Sequence, residues 1–227
     1  MKFVAIETAT EWCSVALWIE GEIASLERRA GNRQGEFVLP MLAQLLERTR
    51  IGIRQLEAVA YGAGPGAFTG LRIACGVAQG LAFGGGLPVI GISTLEATAE
   101  ESGAARAVVA LDARMHEVYY SAFEKRAGRW TTVLPAKCVA PDQVDLPPGD
   151  GWLGCGNGFA AYAGRIGPRL EGHLARIAPD VRPSAHAVAK LAAPRLQAGE
   201  GVDAAQAAPH YLRDKVALTT VEQGARK

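Results

Sequence analysis

The chain has 227 residues, 49% of them hydrophobic, and its 24 basic side chains stand against 23 acidic ones for a formal net charge of +1. That balance excludes the dense basic footprint of a nucleic-acid-binding domain, and the length suffices for one large domain or two small ones with a substantial core. Glu7 and Glu11 break the opening apolar run before a secretory leader could form, and Cys13, Cys75, Cys138 and Cys155 are far apart with no CxxC pair; both features predict a cytoplasmic protein with buried free thiols.

Lys2 to Glu7, Cys13 to Ile19 and Glu22 to Arg29 are predicted strands, joined by turns at Thr8-Ala9-Thr10 and Glu20-Gly21. Phe37, Val38, Met41, Leu42, Leu45, Leu46 and Thr49 recur at helical spacing, which predicts an amphipathic helix over Gly35 to Arg50. From Ala58 to Leu95 the chain carries one charged side chain, Arg72, in 38 residues. Charged side chains are almost never fully buried without partners, so their absence marks elements covered by core or by an interface. Leu56 to Tyr61 reads as a buried strand, Gly62-Ala63-Gly64-Pro65-Gly66 as a turn, and Gly70 to Phe83 as a helix capped near Thr69. Gly84-Gly85-Gly86 end that helix and Leu87 to Ile92 form a second buried strand. Ser93, with Glu96 three residues on, opens another helix through a capping box. The glycines at 84–86 and Pro88 break the apolar run too early for a membrane span, and no basic cluster flanks it.

A second module follows. Ala107 to Asp112 and Glu117 to Glu124 are predicted strands, Lys125 to Arg129 a polar turn, Asp142 to Asp150 a loop and Trp152 to Cys155 a short strand. Ser184 to Leu196 is helical with an interruption at Pro194, and Glu222 to Lys227 is a frayed tail. There is no internal repeat of the kind that marks a solenoid. The order predicts an α/β protein, a mixed sheet flanked by helices with a second αβ module after it.

The chemical motifs are weak. Gly62, Gly64 and Ala67 approximate a dinucleotide fingerprint, but the next strand ends at Ser93-Thr94 and not at the acidic residue that holds a ribose, and the loop has no lysine. Glycines serving a tight turn and close helix packing explain the loop better. His116, His173, His186 and His210 are scattered, and Ser93 lacks the second glycine of a nucleophile elbow. Asp112 and Arg114 form either a ligand-binding pair or a structural ion pair and turn cap.

The segment GAGPGAFTGLRIACGVAQGLA at 62–82 resembles the GPGSFTGLRIG signature of the TsaB (YeaZ) family. AIETATEWCSVAL, VLPMLAQLL, GISTLEA, LDARMHEVYYSAF and PHYLRDKVA fall in that family's order along nearly the whole chain. The resemblance implies the ASKHA fold of actin, Hsp70 and the sugar kinases, with two RNase H-like subdomains at 1–103 and 104–212 and a partly disordered tail at 213–227. It implies a non-catalytic subunit that binds TsaD, the paralogue that transfers threonylcarbamoyl to the adenine N6 at position 37 of tRNAs reading ANN codons. The ATPase TsaE joins that pair, tRNA is reached through the complex, and the chain forms a homodimer when TsaD is absent.

By the same resemblance, the partner sits on the first two helices, at Val38, Met41, Leu42, Leu45, Leu46, Leu71, Ala74, Cys75, Ala78, Leu81 and Ala82. Glu7, Thr8, Gly64, Pro65, Gly66 and Thr69 mark a nucleotide-proximal loop. TsaD holds its metal through an HxxxH pair where this chain has Thr94 and Thr98. No metal, cofactor or catalytic residue is therefore expected on this chain, and ATP and metal are expected on TsaD and TsaE. The chain also departs from the family pattern: Glu7-Thr8-Ala9 replaces Asp-Thr-Ser, Gln34-Gly35 replaces His-Thr or His-Ser, and Gly66-Ala67 replaces Gly-Ser. These changes remove polar chemistry and leave packing residues. The alternatives are an ASKHA-type ATP-binding or ATP-hydrolysing enzyme and an M22-type glycoprotease, the latter without a metal pair or nucleophile in the sequence.

Overall fold

The computed structural model describes residues 1–213, so the frayed tail expected at Glu222 to Lys227 lies outside the described residues. Strands β1 (Lys2–Glu7), β2 (Trp12–Ile19) and β3 (Glu22–Arg29) form an antiparallel meander. Helix α1 (Gln34–Thr49), strand β4 (Ala58–Gly64), helix α2 (Phe68–Gly85), strand β5 (Val89–Ser93) and helix α3 (Thr94–Glu101) follow. Strand β4 pairs parallel with β1 and β5 parallel with β4, giving the order β3-β2-β1-β4-β5.

The second half repeats this plan. Strands β6 (Arg106–Arg114), β7 (Glu117–Arg126) and β8 (Arg129–Val139) form a second meander. Strand β9 (Trp152–Cys155), the short helices α4 (Gly158–Ala161) and α5 (Ala163–Arg169), strand β10 (Leu174–Ala178) and helix α6 (Ala185–Gln197) complete it. Read from its meander edge, this sheet has the order β8-β7-β6-β9-β10, again antiparallel then parallel. Two five-stranded sheets of one topology are the duplicated RNase H-like arrangement of the ASKHA fold.

Alternation along β1 assigns the two layers of the first subdomain. Val4 and Ile6 point with Val15, Leu17, Val59 and Tyr61 toward α1 and α2. Phe3 and Ala5 point with Ala16, Ala58 and Ala60 the other way, onto the alanine-rich face of α6. The expected division at 103/104 therefore needs correction: α6 follows the second sheet in sequence but covers the first, because its apolar stripe fits the alanine face there. It also runs through Pro194 without the expected interruption. Helix α3 sits between the subdomains, its Leu95 and Ala99 packed with Val109 and Leu153.

Several elements differ from the sequence expectation. Helix α2 is capped by Ala67, two residues ahead of Thr69. The polar turn at 125–129 narrows to Ala127 and Gly128, with φ of 48° and 78°, between longer strands. The expectation contained neither β8 nor β10; both are edge strands whose residues are mostly solvent-facing, so neither carries the apolar signal of a central strand. Among the described residues no helix is long and apolar enough to cross a membrane.

Candidate functional site: an outward helix face beside an inter-subdomain cleft

Helices α1 and α2 pack side by side on the first sheet, and that packing decides which residues remain for a partner. Val38, Met41, Leu42, Leu45, Leu71, Ala74, Cys75, Ala78 and Ala82 are buried within the chain itself, and Leu46 and Leu81 are half-buried against the core. The expected interface residues are thus the inward face, spent on covering the sheet.

The opposite face is exposed, mixed on α1 and largely apolar on α2. It carries Leu39, Pro40 and Ala43 beside Glu36, Gln44 and Glu47 on α1, and Thr69, Arg72, Gly76, Gly80 and Phe83 on α2, with Leu39 and Phe83 at 53% and 63% exposure. Positions 72, 76, 80 and 83 fall on one stripe at helical spacing. A Cβ added at Gly76 or Gly80 meets nothing within 4 Å, so no contact among the described residues calls for these glycines. Glycine costs about 1 kcal/mol relative to alanine in a helix interior. Their placement leaves room for another backbone to approach. Leu39 and Phe83 are absent from the interface expected from the sequence; the missing signal was burial, because a helix with apolar residues on both faces does not announce which face is core.

The loop after β1 is built for packing. Glu7 is 2% exposed; its Oε1 accepts the Ala9 N–H at 2.7 Å and its Oε2 accepts the Thr94 hydroxyl at 3.3 Å. Burial pushes this carboxyl up to about 7, against the pull of those hydrogen bonds. A Cβ on Gly62 would lie 2.0 Å from Glu7 Oε2, so Gly62 vacates the space that the Glu7 carboxyl fills. The Thr8 hydroxyl donates to the Gly70 carbonyl at 2.7 Å, and the Ala67 N–H donates to the Ala9 carbonyl at 2.8 Å. A Cβ on Gly70 would come within 2.0 Å of the Thr8 carbonyl oxygen. The glycines hold loop and helix start in contact.

Beside this loop a cleft of 310 Å³ separates the subdomains, walled by Thr10, Gly66 and Ala67 on one side and Asp112, Arg114 and Asn157 on the other. Of the six loop residues expected near a nucleotide, Gly66 alone lines it; Glu7 is buried beneath Gly62, Pro65 is buried, and Thr69 faces outward. The carboxylate ending β1 does not face the cleft, and among the described residues no lysine lines it, so these residues do not fit an ATP-hydrolysing centre. Gln34 ties the same region together, its amide donating to the carbonyls of Thr10 and Gly31 at 2.6 and 2.8 Å.

Asp112 proves to be a turn cap with an ion pair. Its Oδ1 accepts from the Arg114 N–H at 2.8 Å and the Tyr162 hydroxyl at 2.9 Å, and its Oδ2 lies 3.2 Å from the Arg114 guanidinium. Thr94 and Thr98 are fully buried, with the Thr98 hydroxyl donating to the Thr94 carbonyl at 2.8 Å. Ser93 caps α3 by accepting the Glu96 N–H at 3.4 Å. Burial pushes the Cys13 and Cys155 thiols up to about 11 and about 12, which removes both from nucleophilic chemistry.

Residues 28–220 match the family model of TsaD, tRNA N6-adenosine threonylcarbamoyltransferase. The chain is 35% identical over 226 residues to the tRNA threonylcarbamoyladenosine biosynthesis protein TsaB of Escherichia coli (strain K12), covering 96% of each chain. The chain belongs to the TsaB (YeaZ) family. A protein of the same name from Haemophilus influenzae is 34% identical, with 95% of each chain covered. The solved structure of YeaZ from Pseudomonas aeruginosa superposes with a TM-score of 0.86 at 36% identity, covering 93% of this chain and 99% of that one.

Proposed function

We propose that this chain is the non-catalytic subunit that binds and activates TsaD for N6-threonylcarbamoyladenosine formation at adenosine 37 of tRNA, and that TsaD seats on the outward face of α1 and α2. The observation that carries the reading is the α2 part of that face: exposed, apolar, holding Arg72 as its one charge, and lined by Gly76 and Gly80, which packing among the described residues does not require, with the exposed Glu36 and Glu47 of α1 beside it. Family membership supports it, since the curated relatives bear the name of that biosynthesis. Apolar area removed from water supplies the affinity, at about 25 cal/mol per Å² before association costs.

TsaE joins through the resulting pair, ATP and metal act on TsaD and TsaE, and tRNA is reached through the assembly in the cytoplasm. Without TsaD, the same face pairs two copies of the chain. The buried Glu7 carboxyl argues against ATP hydrolysis by this chain, and nothing at Ser93 or the cysteines favours a peptidase.

Reconstitution tests the proposal. Cognate TsaD, TsaE, the threonylcarbamoyl-adenylate synthase, ATP, threonine, bicarbonate and tRNA are combined with and without this chain. Product that requires the chain and survives Glu7→Gln supports an activating subunit; equal product in its absence overturns the proposal.

A further inference from the structure

The chain passes between the subdomains three times, and the last passage differs from the others. After α6 the backbone runs along α2, where the Gln79 amide donates to the carbonyls of Ala204 and Ala207 at 3.3 and 3.1 Å. It then locks onto β4. The Tyr61 hydroxyl accepts from the Ala208 N–H at 3.0 Å and donates to the Ala208 carbonyl at 3.1 Å, and the His210 N–H donates to the Ala63 carbonyl at 2.6 Å. Gly64 allows this approach: its φ is +114°, and a Cβ there would sit 2.7 Å from the His210 carbonyl oxygen.

Tyr211 then turns toward α2, its ring centroid 5.4 Å from that of Phe68 and its hydroxyl accepting from Arg72 Nε at 3.1 Å. By the next residue the chain is on the other subdomain. Leu212 packs on the second core, and Arg213 pairs with Glu117 and donates to the Arg114 carbonyl at 3.4 Å. His210, Tyr211 and Arg213 thereby close one side of the cleft.

We propose that residues 207–213 are a latch that holds the cleft closed, and that a partner seated on α2 tightens it. The latch stands on these contacts alone; the tightening rests on the docking reading above. Arg72 shares the outward stripe with Gly76 and Phe83, and Phe68 lies one turn before it. A helix laid along that stripe covers the Arg72–Tyr211 hydrogen bond and the Phe68–Tyr211 ring contact. Excluding water there strengthens both. On the cleft side the latch ends at the β6–β7 hairpin, where Arg114, Met115 and His116 have φ of 61°, 53° and 62°. Three successive non-glycine residues in the left-handed region persist only while the surrounding contacts hold them. Arg213, bonded to the Arg114 carbonyl and to Glu117 on either side of that turn, is such a contact.

Hydrogen exchange on the full chain, read at the amides of residues 113–118, tests both halves. In the isolated chain, Arg213→Ala and Tyr211→Ala each raise hairpin exchange by about fivefold or more and leave β1 and β4 amides unchanged, the mark of local and not global opening. Unchanged hairpin exchange in both variants overturns the latch. Adding purified TsaD slows the wild-type hairpin further, while Arg213→Ala, altered far from the docking face, still co-elutes with TsaD and its hairpin does not respond. A hairpin that slows equally in Arg213→Ala overturns the coupling. Failure of the wild type to co-elute with TsaD overturns the docking reading and the coupling together, and the isolated-chain result still decides the latch.

Discussion

The two halves of the molecule share a sheet topology and differ in what covers it. In the first half, the connections flanking β4 are α1 and α2, helices of 16 and 18 residues; in the second, those flanking β9 are a single 3-10 turn and then α4 and α5, of 4 and 7 residues. Where the halves agree, the agreement extends to detail. Each final helix is opened by a serine, Ser93 accepting the Glu96 N–H at 3.4 Å and Ser184 accepting the Ala187 N–H at 3.1 Å. Where they disagree, the first half has long helices, and the outward face of α2 is largely apolar although its own sheet does not use it. On the docking reading proposed above, the helices of this fold supply an assembly surface, and the strand ends contribute packing.

The strongest way to break this picture is to exchange the faces of α2. Ala78→Arg places an unpaired charge in the core beneath the helix, and its expected cost exceeds about 4 kcal/mol, read as loss of the cooperative thermal transition. Gly76→Arg, two residues away on the outward face, is expected to leave Tm unchanged or slightly raised, because it removes a helix glycine without meeting a neighbour. Equal losses in both variants contradict the assignment of the faces.

The second comparison is between the carboxylate that ends β1 and the one two residues before the end of β6. Glu7 is buried and its carboxyl lies raised from 4.5 to about 7 in the folded state. The unfolded chain therefore releases this proton first as pH rises. The contribution is absent below pH 4.5, stability falls between pH 4.5 and 7, and above 7 the full penalty persists. Glu7→Gln should remove that slope and stabilise the chain at pH 8 by up to about 3 kcal/mol, measured by urea unfolding across pH. Asp112, its counterpart on β6, is held by local donors. Asp112→Asn keeps an oxygen for the Arg114 N–H and the Tyr162 hydroxyl and loses an ion pair to an exposed arginine, for an expected cost of about 0.5 kcal/mol. A larger loss in the same urea series would show that the two carboxylates are more alike than their surroundings indicate.

The sequence disclosed the first half far better than the second. The apolar runs of β1 and β2, buried on both faces, and the spacing of Val38, Leu42 and Leu45, buried on one, marked elements whose signals come from burial. β8 and β10 are half-solvated edges, and α4 and α5 are too short and too rich in glycine and proline to show a period. The duplication was likewise hidden from local pattern, since the halves share topology but not their helices; the ASKHA expectation came from the family resemblance. For the site, the near-absence of charge from Ala58 to Leu95 correctly marked an element apolar on both sides. It did not orient that element: Ala74 and Ala78 face the sheet and Gly76 and Gly80 face out, and one-letter polarity does not distinguish them. Loss of the β1 aspartate was legible, but only the structure showed the replacing Glu7 carboxyl folded beneath Gly62.

The central claim is that the outward helix face receives the partner, and the most direct test is co-elution of TsaD with the wild type and with Gly76→Arg, whose folding is confirmed by its thermal transition. The account predicts that the folded variant loses TsaD binding by about 30-fold or more, the effect of a charge placed at the centre of a close helix contact. Undiminished binding would contradict it and place the partner elsewhere on the molecule.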